Sequence, residues 1–292
     1  MCMLKSGIVL KNKIFVPEYD SHTRMLEELG IKDDYLNASK TFVRVELSPI
    51  DGNVFSDIDT WKLRVDQDIT PEWYDEDTYK PQVVEAVKKW AKDHVHIDVD
   101  NLEISAGEGH YIKGCKNVVI YGNATVKYIC GNATVKYIYG NATVENIYGN
   151  ATVKYIYGNA TVENIYGNAT VKYICGNATV KYIYGNATVE YICDNATVEN
   201  IYGNATVKYI CGNATVKYIC DNATVKYICD NATVEKAKGT SIIVGSSYDW
   251  NKKETLILAE NATFKDCQTK TIYQSGGWKL VGVENGNKIE KE

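Results

Sequence analysis

Two sets of side chains have the types and spacing for chemistry. Cys175, Cys193, Cys211 and Cys229 recur every 18 residues, and Tyr121, Tyr139 and Tyr157 precede them in the same phase. Brought into one column at ~5 Å, four thiols form a candidate site for a soft metal ion. A compact structural zinc site instead gathers four ligands around one ion from short spacings, which a straight column does not do. The simpler reading is a column of reduced thiols at a position where Cys and Tyr exchange. The second set is His94, His96, Asp98 and Asp100, which alternate with Val95, Ile97 and Val99. On a strand these four would share one face, and such a face could bind a metal. A solvated outer face explains the same alternation without a ligand. Asp57, Asp59, Asp66 and Asp68 are a weaker set, accompanied by no His, Lys or Gly-rich phosphate loop. No catalytic signature stands out, and no cofactor is expected.

The elements that must position these residues are written in a nine-residue unit, Asn-Ala-Thr-Val-(Lys/Glu)-(Tyr/Asn)-Ile-(Tyr/Cys)-(Gly/Asp), which recurs thirteen times from Asn123 to about Lys238. A period this short excludes an ordinary globular core and predicts a solenoid whose repeats pack only on their neighbours. Val, Ile and Thr favour strands, and no helical stripe appears. Ala124 and Val126 point to one side of a strand, Thr125 to the other. Ile129 lies three beyond Val126, so a bend is expected at Lys127–Tyr128, between two short strands. The Gly/Asp-Asn pair supplies the tight turn, because these residues tolerate a left-handed backbone.

The number of repeats per coil follows from the variable positions. Cys130, Tyr148, Tyr166, Tyr184, Tyr202 and Cys220 form a second column with the same 18-residue spacing. Glu145, Glu163, Glu199 and Glu235 share one phase, and only Glu190 falls in the other. Like stacks on like if a coil holds two repeats; three-repeat coils would scatter both sets. The expectation is therefore a parallel β-solenoid (β-helix) of 18 residues per coil, rising ~4.8 Å each, with a regular part on the order of 30 Å long. Ala, Val and Ile fill a narrow core. The Asn of each turn is expected to form an amide ladder rather than to serve as the glycosylation acceptor that Asn-Ala-Thr also spells. The calcium-binding nonapeptide pattern does not fit, since its Asp-bearing, Gly-rich turns are missing.

Four segments are expected: a small α+β module over 1–94, a degenerate opening coil over 95–121, the regular solenoid over 122–238, and a C-terminal coil and cap over 239–292. Within the module, Lys5–Val16, Thr41–Leu47 and Trp61–Val65 read as strands. Ser21 caps a short helix ending at Gly30, and Pro81–His94 reads as an amphipathic helix. Asp66–Lys80 reads as an acidic surface loop. At the far end, Asn261-Ala262-Thr263-Phe264 echoes the repeat, and Trp250 and Trp278 are candidates to cover the last coil.

Net charge is −5, which disfavours nucleic acid as a partner. No stretch approaches the ~20 apolar residues of a membrane span, and Met1–Lys13 lacks the apolar core of a signal peptide. Nine Cys without an export signal point to a reducing compartment, cytoplasmic or virion-associated. The tandem Asn-Ala-Thr-Val unit, with Thr41–Leu47 through Asp66-Gln67-Asp68 and Trp90-Ala91-Lys92 ahead of it, resembles the NATV-type nonapeptide-repeat proteins of low-GC gut bacteria and their phages. That resemblance implies the solenoid and carries no activity and no functional residues. The leading reading is a non-enzymatic scaffold or interaction protein, uncertain for residues 1–94, with the column Tyr121 to Cys229 as the candidate binding ladder. Its partner is a protein or polymer, and self-association remains open. The alternatives are an inhibitor or decoy of a host enzyme, and an enzyme with its site in the N-terminal module.

Overall fold

A computed structural model describes residues 5–245 and the strand segments 257–258, 262–266, 271–274, 278–281 and 288–291. The chain forms two compact units, residues 1–97 with 108–111 and residues 98–107 with 112–292.

The first unit is built on a four-stranded antiparallel sheet in the order β2-β1-β3-β4, from Lys5–Leu10 (β1), Lys13–Phe15 (β2), Phe42–Ser48 (β3) and Lys62–Val65 (β4). The segment expected as one strand, Lys5–Val16, is a hairpin turning at Lys11-Asn12. Ser6, Ile8 and Leu10 share one face with their cross-strand partners Glu46, Arg44 and Phe42. Helix α1, His22–Glu28, covers that face with Met25 and Leu26, capped by the Ser21 hydroxyl and closed by Gly30 in a left-handed conformation. A single turn, Tyr35–Ala38 (α2), follows. Helix α3 packs on β1, β2 and β3 with Val83, Val84 and Val87 buried. It spans Glu76–His94, longer than the expected Pro81–His94, and takes up part of the expected loop. The true start is the Asp75 carboxylate accepting from Thr78 N at 2.9 Å. Pro81 stands in the second turn, where the missing N–H removes one backbone bond without ending the helix.

In the second unit each repeat makes one strand, six residues long in the first (Thr125–Cys130) and five in the others, as at Thr134–Ile138, rather than two short strands around a bend. Val and Ile of the repeat both face the core, with the Lys and Tyr positions between them turned outward. The inter-coil ladder skips the Lys position, pairing Val135 with Val153 and Tyr137 with Tyr155. Strand pairing confirms the two-repeat coil: Val126 stacks on Val144 and Val135 on Val153. Odd-numbered repeats, from Thr125–Cys130 to Thr233–Ala237, form one parallel sheet, and even-numbered repeats, from Thr134–Ile138 to Thr224–Ile228, the other. The Ala, Val and Ile columns between them are closed to solvent throughout the regular coils.

Turns are held from coil to coil. Asn159 N donates to Gly140 O at 2.9 Å, and the Asn159 amide donates to Asn141 Oδ1 at 3.4 Å in the expected ladder. The turn position must be left-handed: Gly158 has φ 68°, and a Cβ there would come within 3.2 Å of Gly140 N. Asp194, Asp221 and Asp230 accept the same conformation at φ 55–59°. Each returns a hydrogen bond to the preceding turn, as Asp194 Oδ2 accepts from Gly176 N at 3.0 Å.

The regular coils begin on Glu103–Ile104 and Val118–Ile120. At the far end Ile242–Gly245 and then Thr263–Asp266 extend the even-repeat sheet in parallel, after which Thr271–Gln274, Trp278–Val281 and Lys288–Lys291 continue antiparallel. Ala262 and Phe264 of the repeat echo are buried in the solenoid core. Trp250 lies outside the described residues, and of Trp278 only its strand is described.

Candidate functional site

The column read from the sequence is assembled as expected. Tyr121, Tyr139 and Tyr157 stack at 5.4 and 5.1 Å between ring centroids, and Cys175, Cys193, Cys211 and Cys229 continue it as half-buried free thiols. Burial, then the neighbouring Cys175 and Asp194, pushes the Cys193 thiol up to about 12, and burial with Cys211 and Asp230 takes Cys229 to about 11. Thiols held this far up are poor nucleophiles at neutral pH. Two groups within the column bring their ligand atoms within 4.8 Å of one another: Cys175, Cys193 and Asp194, and Cys211, Cys229 and Asp230. In each, one carboxylate oxygen is already engaged by a turn amide, at Gly176 or Gly212.

The second column also stacks, Tyr148 to Tyr202 at 4.9–5.2 Å between centroids, and a third ladder is not among the sequence expectations. Tyr137, Tyr155, Tyr173, Tyr191, Tyr209 and Tyr227 run unbroken up the outer face of the even-repeat sheet, centroids 4.8–5.7 Å apart and planes within 16°. The signal was available: the even repeats carry Tyr at this position every time, whereas the odd repeats read Tyr128, Asn146, Asn164, Tyr182, Asn200 and Tyr218. Rings stacked this closely cover one another's faces, so the ladder turns ring edges and hydroxyls outward instead of a platform for stacking.

Charge divides the two sheets in the same way. Beside the Tyr ladder stand Lys136, Lys154, Lys172, Lys208 and Lys226, with Glu190 the one acid at that position. Lys208 pairs with Glu190 at 3.2 Å. Among the described residues Lys136, Lys154, Lys172 and Lys226 have no carboxylate partner, and Lys154 lies over the Tyr155 ring. On the odd-repeat sheet the three lysines at this position are all answered: Lys127 by Glu145, Lys181 by Glu163 and Lys217 by Glu199, the last two at 3.5 Å.

His94, His96, Asp98 and Asp100 do not form one strand face. His94 is the last residue of α3, buried, with Nδ1 2.8 Å from Trp90 O and its ring stacked between Trp90 and His110. The strand that follows ends at Ile97. Asp98 breaks the alternation at φ 53°, its amide donating to Lys113 O. Burial, followed by the neighbouring His110, lowers the His96 imidazole to about 4, a neutral ring at physiological pH.

Asp66, one of the weaker acidic candidates and without an accompanying His in the sequence, has one in the fold. His22, Glu46 and Asp66 place their ligand atoms within 4.8 Å of one another in the first unit. His22 opens α1, Glu46 lies within β3, and Asp66 follows β4 with its amide bonded to Arg44 O at 2.9 Å. Gln67 fixes that corner, accepting from Arg44 N and donating to the Ala38 and Phe42 carbonyls. Asp66 also lines a cleft of about 640 Å³ with Arg44, Arg64, Asp33 and Asp34. No spacing rule could find this group, because its members lie on three elements brought together by the sheet. Asp57 and Asp59 stand apart from it: Asp57 caps a short 3-10 turn and Asp59 pairs with Lys88.

Compared with known proteins, the chain matches no family model, no curated protein and no solved structure.

Proposed function

We propose that the protein is a non-enzymatic scaffold whose even-repeat face binds an extended acidic protein segment. The observation that carries this reading is the row of unanswered lysines beside the Tyr137–Tyr227 ladder, set against the neutralised lysines of the odd-repeat sheet. Excess lysine on one flat, regular face raises the local concentration of a polyanion and favours many weak contacts in register. The phenol hydroxyls add donors and acceptors at the same pitch. Acidic peptide is favoured over nucleic acid, because the ring faces are covered against base stacking. The column from Tyr121 to Cys229 borders this face and belongs to the same surface: Tyr157 meets Tyr137 edge to face at 6.2 Å.

The kinship with NATV-type repeat proteins of gut bacteria and phages rests on the repeat itself, and residence in the cytoplasm or a virion on the nine cysteines; both belong to this proposal. Among the described residues no helix is long and apolar enough to cross a membrane. The test is titration with fluorescent poly-L-glutamate at low salt, alongside polylysine and single-stranded DNA of similar length. Selective, salt-sensitive binding of polyglutamate is expected. Equal or tighter binding of the DNA would sink the reading.

A further inference from the structure

We propose that His22, Glu46 and Asp66 form a divalent-cation site of the imidazole–carboxylate type in the first unit. The argument begins with His22. Its Nε2 lies 3.1 Å from Val45 O, and a carbonyl only accepts, so Nε2 carries the hydrogen. Nδ1 then faces Asp66 Oδ2 at 3.4 Å. With Nδ1 bare, a lone pair and a carboxylate oxygen confront each other, an arrangement that a positive charge between them resolves. A hydrogen bond from the remote ring nitrogen to a backbone carbonyl is also how metal-bound histidines are oriented.

Glu46 decides between a proton and a metal as that positive charge. It is 3% exposed, and among the described residues its side chain has no hydrogen bond and no ion pair. Arg64, its cross-strand neighbour, is 61% exposed and reaches toward Asp66 at 3.8 Å rather than to Glu46. Opposite Glu46 on the other side, Ser6 is fully buried and its hydroxyl also has no partner. A buried carboxylate with no compensation is costly. One proton on His22 sits on the Asp66 side, where Arg64 also lies at 3.8 Å, and leaves Glu46 with no cation within 4 Å among the described residues. A divalent ion held by Nδ1 and both carboxylates balances the pair. Asp66 opens on the cleft, so further positions around the ion are accessible to water.

One nitrogen and two carboxylates suit manganese or zinc, whereas the Cys-Cys-Asp groups of the solenoid suit softer ions. Mn2+ is therefore the probe that separates the two. The full chain, stripped with chelator, is titrated with Mn2+ alone and free ion is read by electron paramagnetic resonance. One ion per chain is expected, together with a rise in melting temperature. Glu46→Gln and Asp66→Asn should each weaken binding by at least the ~10–100-fold that follows loss of a supporting partner alone. Glu46→Gln should also melt higher than the metal-free parent, since it removes the uncompensated charge, and should lose the Mn2+-induced rise. Asp66→Asn, at a half-exposed position, carries the test should Glu46→Gln fold poorly. Absence of Mn2+ uptake by the parent chain would show that a proton serves instead and would overturn the proposal. Uptake unchanged in both variants would do the same.

Discussion

In the regular coils of the solenoid the Asn, Ala, Thr and Val of each repeat meet copies of themselves one coil away; in the first unit each contact is made once. Ala, Val, Ile, Asn and Tyr of the repeats meet their equivalents 18 residues away, so the energy of any position is spread along a column. The first unit holds Lys5 by Asp20 and two backbone carbonyls, and Asp66 by Arg44 and the Gln67 clamp, with no second instance of either. The contrast teaches where chemistry can sit. A repeated column offers extended recognition by many weak, equal contacts. A converging set of unlike ligands needs the irregular fold.

The comparison can be broken first at the solenoid core. Val171→Asp places a carboxylate where no partner exists, and a repeated neighbourhood gives it no relief. We expect a loss of about 3–5 kcal/mol by chemical denaturation. A loss under about 1 kcal/mol would mean that the columns are loosely packed.

Deletions sharpen the comparison next. Removing Asn141–Gly158, one coil of 18 residues, keeps the Tyr and Lys columns continuous, and polyglutamate affinity should fall only slightly. Removing Asn177–Gly185 instead sends every later even repeat to the opposite sheet and splits the ladder into two pieces of three, Tyr137–Tyr173 and Tyr191–Tyr227, on different faces. Roughly ten-fold weaker binding is expected for that variant, with the solenoid still folded by circular dichroism. Equal affinities would show that ladder continuity is irrelevant.

The solenoid was largely legible in the sequence because its determinants are local. The 18-residue phase followed from the Cys and Glu positions, and the turns from Gly, Asp and Asn. The second half-strand was misread because Val126 and Ile129, three apart, both face inward within one strand while Lys127 and Tyr128 both turn out. The Tyr137 ladder was legible in principle and was eclipsed by the more variable Tyr/Cys column. His22–Glu46–Asp66 was not legible, since β3, β4 and α1 are brought together by antiparallel pairing that no spacing encodes. Pro81 reads as a helix start because Pro favours the first turn, whereas the Asp75 carboxylate caps α3 six residues earlier.

Smaller effects test the turns. Asp194→Ala keeps φ near 55° with a less tolerant residue and removes the bond to Gly176 N, so about 1–2 kcal/mol should be lost. Asp194→Gly should recover most of it by relieving the backbone. Thermal unfolding of both variants checks the order, and an Ala variant as stable as the Gly variant would contradict it. The thiols should show a pH effect of known sign. A thiol whose folded pKa is raised stabilises the fold below its unfolded value and loses that contribution as pH climbs through the folded one. For Cys193 the window runs from about 9 to about 12. Melting temperature should decline across it, less steeply in Cys193→Ser, and an equal decline in that variant would remove Cys193 as the cause.

The central claim is that the two sheets differ in recognition although they share one repeat. It is tested most directly by two triple variants with the same change in net charge. One is Lys136→Gln, Lys154→Gln and Lys172→Gln on the even-repeat sheet. The other is Lys127→Gln, Lys181→Gln and Lys217→Gln on the odd-repeat sheet. Polyglutamate affinity at fixed low salt should fall at least about ten-fold in the first, at roughly 0.5–1 kcal/mol per lysine, and less than about two-fold in the second. Equal losses would show that net charge, not the unpaired lysine face, governs binding, and would contradict the account.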